Sequence, residues 1–269
     1  MPGAHKRGYN GFTSFDCMQE NKTRLTFVGH ATVLIELDGT RVLTDPLLRD
    51  RALHLRRRGA AINSDWHTNI DAALISHTHI DHFDFASLRK LDKNTPVIAP
   101  LGAGDDIRRL GFAHVREVSA GESVRVGAVR LTATRAAHIP TPRVNAPPIE
   151  CLGFVVEGSR RVYFAGDTDL FDEMRDLRGQ IDAALLPIWG WGPRLGRGHL
   201  NPRTAAQAAE IINPRVAVPI HWGTLHPVGI GWMQPAYLRE PGMQFKRETA
   251  RLAPLVDVRV LEVGESTVI

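Results

Sequence analysis

Apolar and polar positions alternate over short stretches of this chain, a pattern typical of half-buried strands. In TVLIELDGTRVLTD the dipeptide Asp38-Gly39 separates two such runs and predicts a hairpin, because Asp-Gly favours the tight turns that join antiparallel strands. Two further hairpins are predicted around Gly127, in SVRVGAVRLTATRA, and around Gly158, in LGFVVEGSRRVYFAGD. The pattern therefore predicts antiparallel sheet in the first part of the chain.

Later in the chain, continuous apolar runs alternate with helical segments. IDAALLPI and RVAVPIHW predict buried strands, and NPRTAAQAAEII predicts a helix with Asn201 as its N-cap and Pro202 in its first turn. Short helices are predicted in DFASLRKL, AGDDIRRLG and FDEMRDL, a loop in HIPTPRVNAPPIE, and a helix and closing strand in the tail that ends in VDVRVLEV. This order indicates an α/β fold with mixed sheets (α+β) packed face to face and helices outside them.

The composition bounds the class of protein. The chain has 269 residues, 43% of them hydrophobic, and no evident linker, so we predict one domain over residues 24–269 behind a peripheral extension over residues 1–23. No apolar run reaches the length of a signal-peptide core or a membrane span. Two cysteines, Cys17 and Cys151, are too few for a disulfide framework and favour a reducing compartment, so we expect a cytoplasmic protein.

The charge is mildly basic. A net charge of +4 spread over this length does not indicate a nucleic-acid-binding protein, so we expect no nucleic-acid partner. The one local concentration, RDRALHLRRRG, contains His54, Arg56, Arg57 and Arg58, which either bind an anion such as a phosphate or form a solvated basic face. A homo-oligomer is compatible with the sequence.

The segment LISHTHIDHFD has three histidines and two aspartates directly after a predicted strand. Unpaired polar groups are costly to bury, so a bound metal is the natural explanation. His77, His79 and Asp81 occupy alternate positions and share one side of an extended chain, while His82 points elsewhere unless the chain turns. Two groups of ligands can thus address two ions, with zinc as the best match and manganese or iron as alternatives.

Further polar residues follow other predicted strands. LTATRAAH ends at His138, RVYFAGD at Asp167 and RVAVPIH at His221. Four strand ends that together deliver seven nitrogen or oxygen ligands are a more specific signal than the local motif alone.

The motif HTHIDH resembles the H-x-H-x-D-H signature of the metallo-β-lactamase superfamily, and Asp45, His138, Asp167 and His221 match its other motifs in order. FVGHATVLIELDGTRVLTDP and HLNPRTAAQAAEIINPRVAVPIHWGT are similar to the branch that contains ascorbate-6-phosphate lactonase and the phospholipase D that hydrolyses N-acyl-phosphatidylethanolamine. The resemblance implies a four-layer αββα sandwich with the site at one edge between the sheets.

The resemblance also implies a division of the ligands. One ion would be held by His77, His79 and His138, the other by Asp81, His82 and His221, and Asp167 would bridge them. A hydroxide shared by the two ions would then attack a phosphodiester or a lactone or ester bond of a small or lipid-like substrate. Asp81 and Asp167 are therefore candidate catalytic residues.

Other residues are candidates for supporting roles. His199 lies in a glycine-rich loop before a helix, so it either protonates a leaving group or is a solvated loop histidine. Asp45 would orient ligands through hydrogen bonds or simply close a turn. The remaining candidates flank these segments and would line a pocket: His30, Trp189 and Trp222.

Three functions stay open on the sequence alone. Within the leading one, a dinuclear hydrolase, a lipid phosphodiesterase requires an apolar groove and a sugar-phosphate lactonase a compact polar pocket. A nucleic-acid phosphodiesterase is the second, although this chain has no room for an additional RNA-binding domain. A non-catalytic metal-binding protein is the third, but loss of catalysis would usually disturb the ligands, and all seven are present.

Overall fold

The computed structural model describes residues 22–143, 146–229, 233 and 235–269. The extension predicted over residues 1–23 lies outside the described residues except for its last two, and Cys17 lies outside them as well. No helix within the described part of the chain is long and apolar enough to cross a membrane.

Nineteen strands and four α-helices make up the regular structure of the described residues. The strands are β1 (Arg24–Gly29), β2 (Thr32–Leu37), β3 (Thr40–Thr44), β4 (Arg51–Ala52), β5 (Leu55–Arg57), β6 (Ala72–Leu74), β7 (Val97–Pro100), β8 (Val115–Val118), β9 (Ser123–Val126), β10 (Val129–Arg135), β11 (Thr141–Arg143), β12 (Ala146–Ile149), β13 (Leu152–Glu157), β14 (Arg161–Phe164), β15 (Ala183–Pro187), β16 (Val216–Ile220), β17 (Leu225–Pro227), β18 (Asp257–Val258) and β19 (Ser266–Val268). The helices are α1 (Phe85–Leu88), α2 (Gly104–Arg109), α3 (Pro202–Ile212) and α4 (Pro241–Leu252).

Two seven-stranded sheets form the body of the molecule. The first has the order β19-β1-β2-β3-β6-β7-β8 and the second the order β18-β16-β15-β14-β13-β10-β9. In each sheet one half is antiparallel hairpins and the other half is parallel strands. The three predicted hairpins are confirmed as β2–β3, β9–β10 and β13–β14. At the first of them Asp38 and Gly39 both have positive φ, 51° and 75°, as a type I′ turn requires.

The packing layers follow from which face of each sheet is apolar. One apolar cluster, with Phe27, Phe154 and Phe164, lies between the sheets. A second, with Tyr163 and Phe245, joins the second sheet to α3 and α4, and a third joins the first sheet to α1 and α2. The structure therefore has the predicted αββα sandwich architecture.

Several elements differ from the sequence predictions. Strand β8 was not predicted, and the proline-containing loop after His138 contains the hairpin β11–β12. The basic segment after Asp45 forms β4 and β5, which join β17 in a small third sheet. The predicted closing strand is wrong in position, because only Asp257–Val258 of that run is a strand and β19 makes the final pairing with β1. FDEMRDL forms a 3₁₀-helix, Asp172–Leu177.

Candidate metal centre

The segment after β6 turns within the predicted motif. The amides of His82 and Phe83 both donate to the carbonyl of His79, at 3.1 and 2.8 Å. Helix α1 then begins with Asp84 as its N-cap. Because the chain turns after Asp81, His82 also faces the cluster formed by the alternating residues before it. The sequence left this possibility open.

The first cluster consists of His77, His79 and His138. The Nδ1 atom of His79 lies 3.0 Å from Nε2 of His77 and 3.1 Å from Nε2 of His138. His77 is buried, whereas His79 and His138 are half-buried. The first cluster therefore lies at the mouth of the site.

The second cluster consists of Asp81, His82 and His221, with His30 beside them. The Nε2 atoms of His82 and His221 are 3.0 Å apart, and Oδ2 of Asp81 lies 3.6 Å from Nε2 of His221. His30 Nε2 is 2.9 Å from the same Asp81 oxygen. All four side chains are buried.

Asp167 lies between the two clusters. Its Oδ2 is 3.1 Å from Nε2 of His82 and 4.0 Å from Nε2 of His77, and its Oδ1 is 3.3 Å from Nε2 of His221. Oδ1 is buried without a hydrogen-bond partner. A buried carboxylate oxygen without a donor is costly, and a cation beside it would remove that cost.

The outer ring nitrogens of two candidate ligands are held by backbone carbonyls. His221 Nδ1 donates to the carbonyl of Trp189 at 2.9 Å, and His138 Nδ1 donates to the carbonyl of Gly198 at 2.7 Å. Since a carbonyl only accepts, the proton of each neutral ring lies on Nδ1, and Nε2 presents a lone pair to the cluster.

Asp45 holds one ligand of each cluster. His82 Nδ1 donates to Asp45 Oδ2 at 2.6 Å, and Ser76 Oγ donates to the same oxygen at 2.6 Å. The Ser76 hydroxyl then accepts from Nδ1 of His77 at 2.9 Å, so Nε2 of His77 faces the cluster as a lone pair. Asp45 therefore orients a histidine of each cluster, as conserved partners of metal-bound histidines commonly do.

The donor set fits divalent metal ions. Two ligand nitrogens on one tetrahedral zinc, each about 2.0 Å from the metal, lie about 3.3 Å apart. The three shortest separations between inner nitrogens are 3.0, 3.0 and 3.1 Å. Facing lone pairs at this distance repel each other unless a proton or a cation lies between them. Neutral imidazoles and carboxylates are ligands that suit zinc, manganese and iron.

The pKa values of the histidines differ between the two clusters. Burial lowers the pKa of His77 well below its usual value, that of His138 to about 4, and that of His79 as well, which favours neutral rings in the first cluster at neutral pH. Burial also opposes charge on His82, but Asp167, Asp81 and Asp45 outweigh it and raise its pKa well above 6.5. In the metal-free chain a proton on His82 therefore lies where a cation would bind, and metal binding would release it.

Three residues of the site have strained backbone. His30, Asp45 and His221 have φ values of 57°, 32° and 62°, in the left-handed region that non-glycine residues rarely adopt. Such conformations cost roughly 1–3 kcal/mol each and persist where surrounding structure imposes them. Here the amide of His221 donates to the carbonyl of His30 at 2.7 Å, which ties the two sheets together at the site.

The structure also brings His199 to the centre. Its Nε2 lies 3.4 Å from Oδ2 of Asp167, and its Nδ1 donates to the carbonyls of Gly196 and Arg197 at 3.2 and 3.1 Å. Burial lowers the pKa of His199, but Asp167 and these hydrogen bonds outweigh it and raise the pKa above its usual value.

Two of the predicted pocket residues have other surroundings. Trp222 does not wall the pocket: it is buried in the apolar cluster under α3 and α4, and its indole donates to the carbonyl of Pro219. Although it follows His221 directly, it lies on the helix side of the second sheet, in the same cluster as Phe245. Trp189 is half-buried and contributes its carbonyl, and its indole donates to Gly192.

The predicted anion-binding group is not one surface. Arg56 is exposed, but Arg57 is buried and donates to the carbonyls of Val28 and Ala60, because alternate residues of β5 face opposite sides. Burial lowers the pKa of Arg57 to about 10. Arg58 is directed to the carbonyls of Gly223 and Leu238.

Sequence reasoning missed two partners of the ligands, Ser76 and Gly198. The position of Ser76 directly before His77, in LISHTH, is a signal that could have identified it. Gly198 acts through its carbonyl, which every residue type has, so no side-chain pattern could have indicated this contact.

Comparisons with known proteins agree with this geometry. Residues 40–222 match the family model described as the beta-lactamase superfamily domain. A UPF0173 metal-dependent hydrolase of Methanopyrus kandleri is 33% identical over 90% of this chain and 98% of its own length. An N-acyl-phosphatidylethanolamine-hydrolyzing phospholipase D of Caenorhabditis elegans is 29% identical over 96% of this chain and 80% of its own length.

A solved structure has the same fold. Igni18, a metallo hydrolase from Ignicoccus hospitalis, superimposes with a TM-score of 0.68 at 24% identity, over 92% of this chain and 98% of its own. The chain therefore belongs to the metallo-β-lactamase superfamily and, within it, to the UPF0173 family of metal-dependent hydrolases.

Proposed function

We propose that this chain hydrolyses phosphodiester bonds with two divalent metal ions, zinc being the best match to the donors. His77, His79 and His138 would hold one ion, Asp81, His82 and His221 the other, and Asp167 would contact both. The observation that carries the proposal is the direction of the imidazoles: four of them have their outer nitrogen held by a hydrogen-bond partner and their inner nitrogen in a cluster. Lactones and esters are the alternative substrates.

The chemistry needs an activated water and positioned side chains. Two bound ions would lower the pKa of a bound water to about 7 and would supply Lewis acidity toward the substrate oxygens. The Oδ2 atom of Asp81 is fixed by His30, which restrains the carboxylate and suits it to orient the attacking water.

His199 is the proposed proton donor to the leaving group. In the metal-free chain Asp167 outweighs burial and raises the pKa of His199, and Nε2 is the nitrogen that faces this carboxylate. The backbone carbonyls hold the other nitrogen, so the ring has a fixed direction at the mouth of the site. A general acid needs both a proton near neutral pH and this kind of orientation.

A groove beside the site supports an amphiphilic substrate over a compact polar one. Its volume is about 640 Å³, and Thr78 and Ile80, which alternate with the metal-site residues, form part of its wall. Leu53, Ile80 and Phe85 line it with 71%, 44% and 40% of their surface exposed. Apolar side chains gathered around one groove are typical of a binding surface. The C. elegans relative, by its name, hydrolyses a lipid phosphodiester, which also supports this substrate class.

The test is metal analysis of the purified protein together with turnover of bis-p-nitrophenyl phosphate, simple lactones and p-nitrophenyl esters. We expect two metal ions per chain and phosphodiester turnover that a chelator abolishes. Lactone or ester opening without phosphodiester turnover would contradict the phosphodiesterase proposal. A fully occupied site without any turnover would favour the non-catalytic alternative, and preferential cleavage of RNA or DNA would favour the nuclease.

The groove is tested separately with Ile80→Ser. For a phosphodiester that carries an alkyl chain we expect KM to rise about fivefold, because part of an apolar side chain's burial with the substrate is lost. Turnover of bis-p-nitrophenyl phosphate should be unchanged. Leu255→Ser, at a remote position with 90% exposure, is the matched control and should behave as wild type. An unchanged KM in Ile80→Ser would contradict the proposed role of the groove.

A further inference from the structure

The glycine-rich loop over residues 190–198 contacts the metal centre through backbone as well as side chains. Its last residue, Gly198, accepts the Nδ1 proton of His138 at 2.7 Å. The next residue, His199, lies 3.4 Å from Asp167. One short segment therefore holds a candidate ligand and also carries the candidate proton donor.

The end of this loop is anchored to the segments of the other site residues. Leu200 is fully buried, and its amide donates to the carbonyl of Thr168 at 2.8 Å. The hydroxyl of Thr168 accepts from the amide of Ala137 at 2.9 Å. Because Thr168 lies next to Asp167 and Ala137 next to His138, three loops that supply the site meet at one buried threonine.

Position 198 requires glycine. Its φ is +77°, and a Cβ atom there would stand 3.1 Å from Nδ1 and 3.4 Å from Cα of His138. A side chain would thus strain the backbone and push on the imidazole that its carbonyl holds. Gly192, in the same loop, has no such restriction, since a Cβ there would meet only the carbonyl of Arg194 at 3.8 Å.

We infer that Gly198 is a positioning residue that couples metal binding to docking of this loop. Its carbonyl keeps the proton of His138 on Nδ1 and directs Nε2 to the first cluster, while its backbone places His199 at Asp167. A metal ion on His138 fixes the ring and so favours the docked loop, and the docked loop in turn favours metal binding, because such coupling is reciprocal. The inference rests on the metal site proposed above.

Trypsin can measure loop docking directly, because Arg194 and Arg197 are exposed. In wild-type protein we expect zinc to slow cleavage at these two sites at least fivefold relative to metal-stripped protein. In Gly198→Ala this protection should be lost, and zinc affinity should fall about 10- to 100-fold, the usual effect of removing a partner of a metal-bound histidine. Gly192→Ala should keep both properties.

Hydrogen exchange on wild-type protein gives a second measurement that does not depend on the folding of a variant. On zinc addition, amides over residues 196–200 should exchange at least tenfold more slowly, whereas those of the remote β9–β10 hairpin should not change. Wild-type protein that binds zinc without slower cleavage or exchange in the loop would overturn the inference alone. Gly198→Ala with the zinc affinity and protection of Gly192→Ala would also overturn it. Wild-type protein that binds none of zinc, manganese or iron would overturn the proposed function, and this inference with it.

Discussion

The two clusters differ in what holds their ligands. In the second cluster all side chains are buried, and His30 and His221 lie in strained backbone at the junction of the two sheets. In the first cluster His79 and His138 are half-buried, and His138 is held by the carbonyl of a glycine-rich loop. The second cluster is thus part of the fold, whereas the first is completed by a surface loop. From this difference we expect metal exchange and substrate access at the first cluster.

The largest expected effect comes from substituting Asp167, which lies between the two clusters. In Asp167→Ala we expect the zinc content of both clusters to fall. We also expect kcat/KM for bis-p-nitrophenyl phosphate to fall by more than about a thousandfold, because both ions that would activate the water are bound less tightly. Metal analysis and steady-state kinetics measure this. Asp169→Ala changes a nearby exposed carboxylate and should resemble wild type. Two tightly bound ions in Asp167→Ala would contradict a shared position.

Two substitutions of hydrogen-bond partners, at Asp45 and Ser76, should affect the two clusters differently. Asp45→Ala leaves buried donors on Ser76 and His82 without an acceptor, so we expect metal-free protein to lose about 3 kcal/mol of unfolding free energy and both clusters to bind zinc more weakly. Ser76→Ala removes the hydroxyl that links Asp45 to His77 but leaves the hydrogen bond between Asp45 and His82, so it should cost about 1 kcal/mol and weaken mainly the first cluster. Urea unfolding and zinc titrations measure these effects. If both variants lowered the zinc affinity of the second cluster equally, the proposed role of Asp45 in orienting His82 would be contradicted.

Metal release should be biphasic. Because the first cluster is half-exposed and the second is buried, a chelator should remove one zinc per chain at least about tenfold faster than the other. A colorimetric zinc indicator in a stopped-flow instrument follows both phases, and His79→Ala should abolish the fast one. A single phase of release, with two ions lost, would show that the clusters do not differ in accessibility.

The smallest expected effect, taken per pH unit, is the change in the stability of the metal-free protein. Burial lowers the pKa of His30 to about 3 and that of His138 to about 4, so these rings stay neutral in the folded chain while the unfolded chain takes up protons below about 6.5. The free energy of unfolding therefore decreases as the pH falls below 6.5. The contribution of His138 is fully lost near pH 4, and that of His30 near pH 3. We expect a slope of about 1 kcal/mol per pH unit from His30.

Urea unfolding of metal-free protein between pH 7 and pH 4.5 measures this slope. His30→Gln should have a shallower slope than wild type, and His114→Gln, at an exposed position, should not change it. Identical slopes in all three proteins would contradict the assignment of the pH dependence to the buried ring.

The sequence predicted the fold, and the candidate ligands that it named come together in the structure, because both leave side-chain patterns. Asp38-Gly39 specified a hairpin, and His138, Asp167 and His221 each follow an apolar run that ends at the edge of a sheet. The partners of the ligands were harder to predict, since Gly198 acts through its carbonyl. The face that a side chain takes was also hard to predict next to a ligand, as Trp222 illustrates.

Pairings between strands far apart in the sequence were also not predicted. Strand β19 pairs with β1 although its run, Ser266–Val268, has little apolar character to predict a strand. The separation of Arg56 from Arg57 has a similar cause: β5 was not predicted, so the alternation of its faces could not be applied to the basic run.

The hydrogen bond from the amide of His221 to the carbonyl of His30 joins segments far apart along the chain, one in each sheet. During folding such a contact forms only after both sheets have assembled and met, because distant closures come late. A partly folded chain would then offer a cation only the local ligands within residues 77–82, without His138, Asp167 and His221. Zinc occupancy would accordingly report complete assembly, and an immature molecule would be protected from trapping the metal in a wrong arrangement.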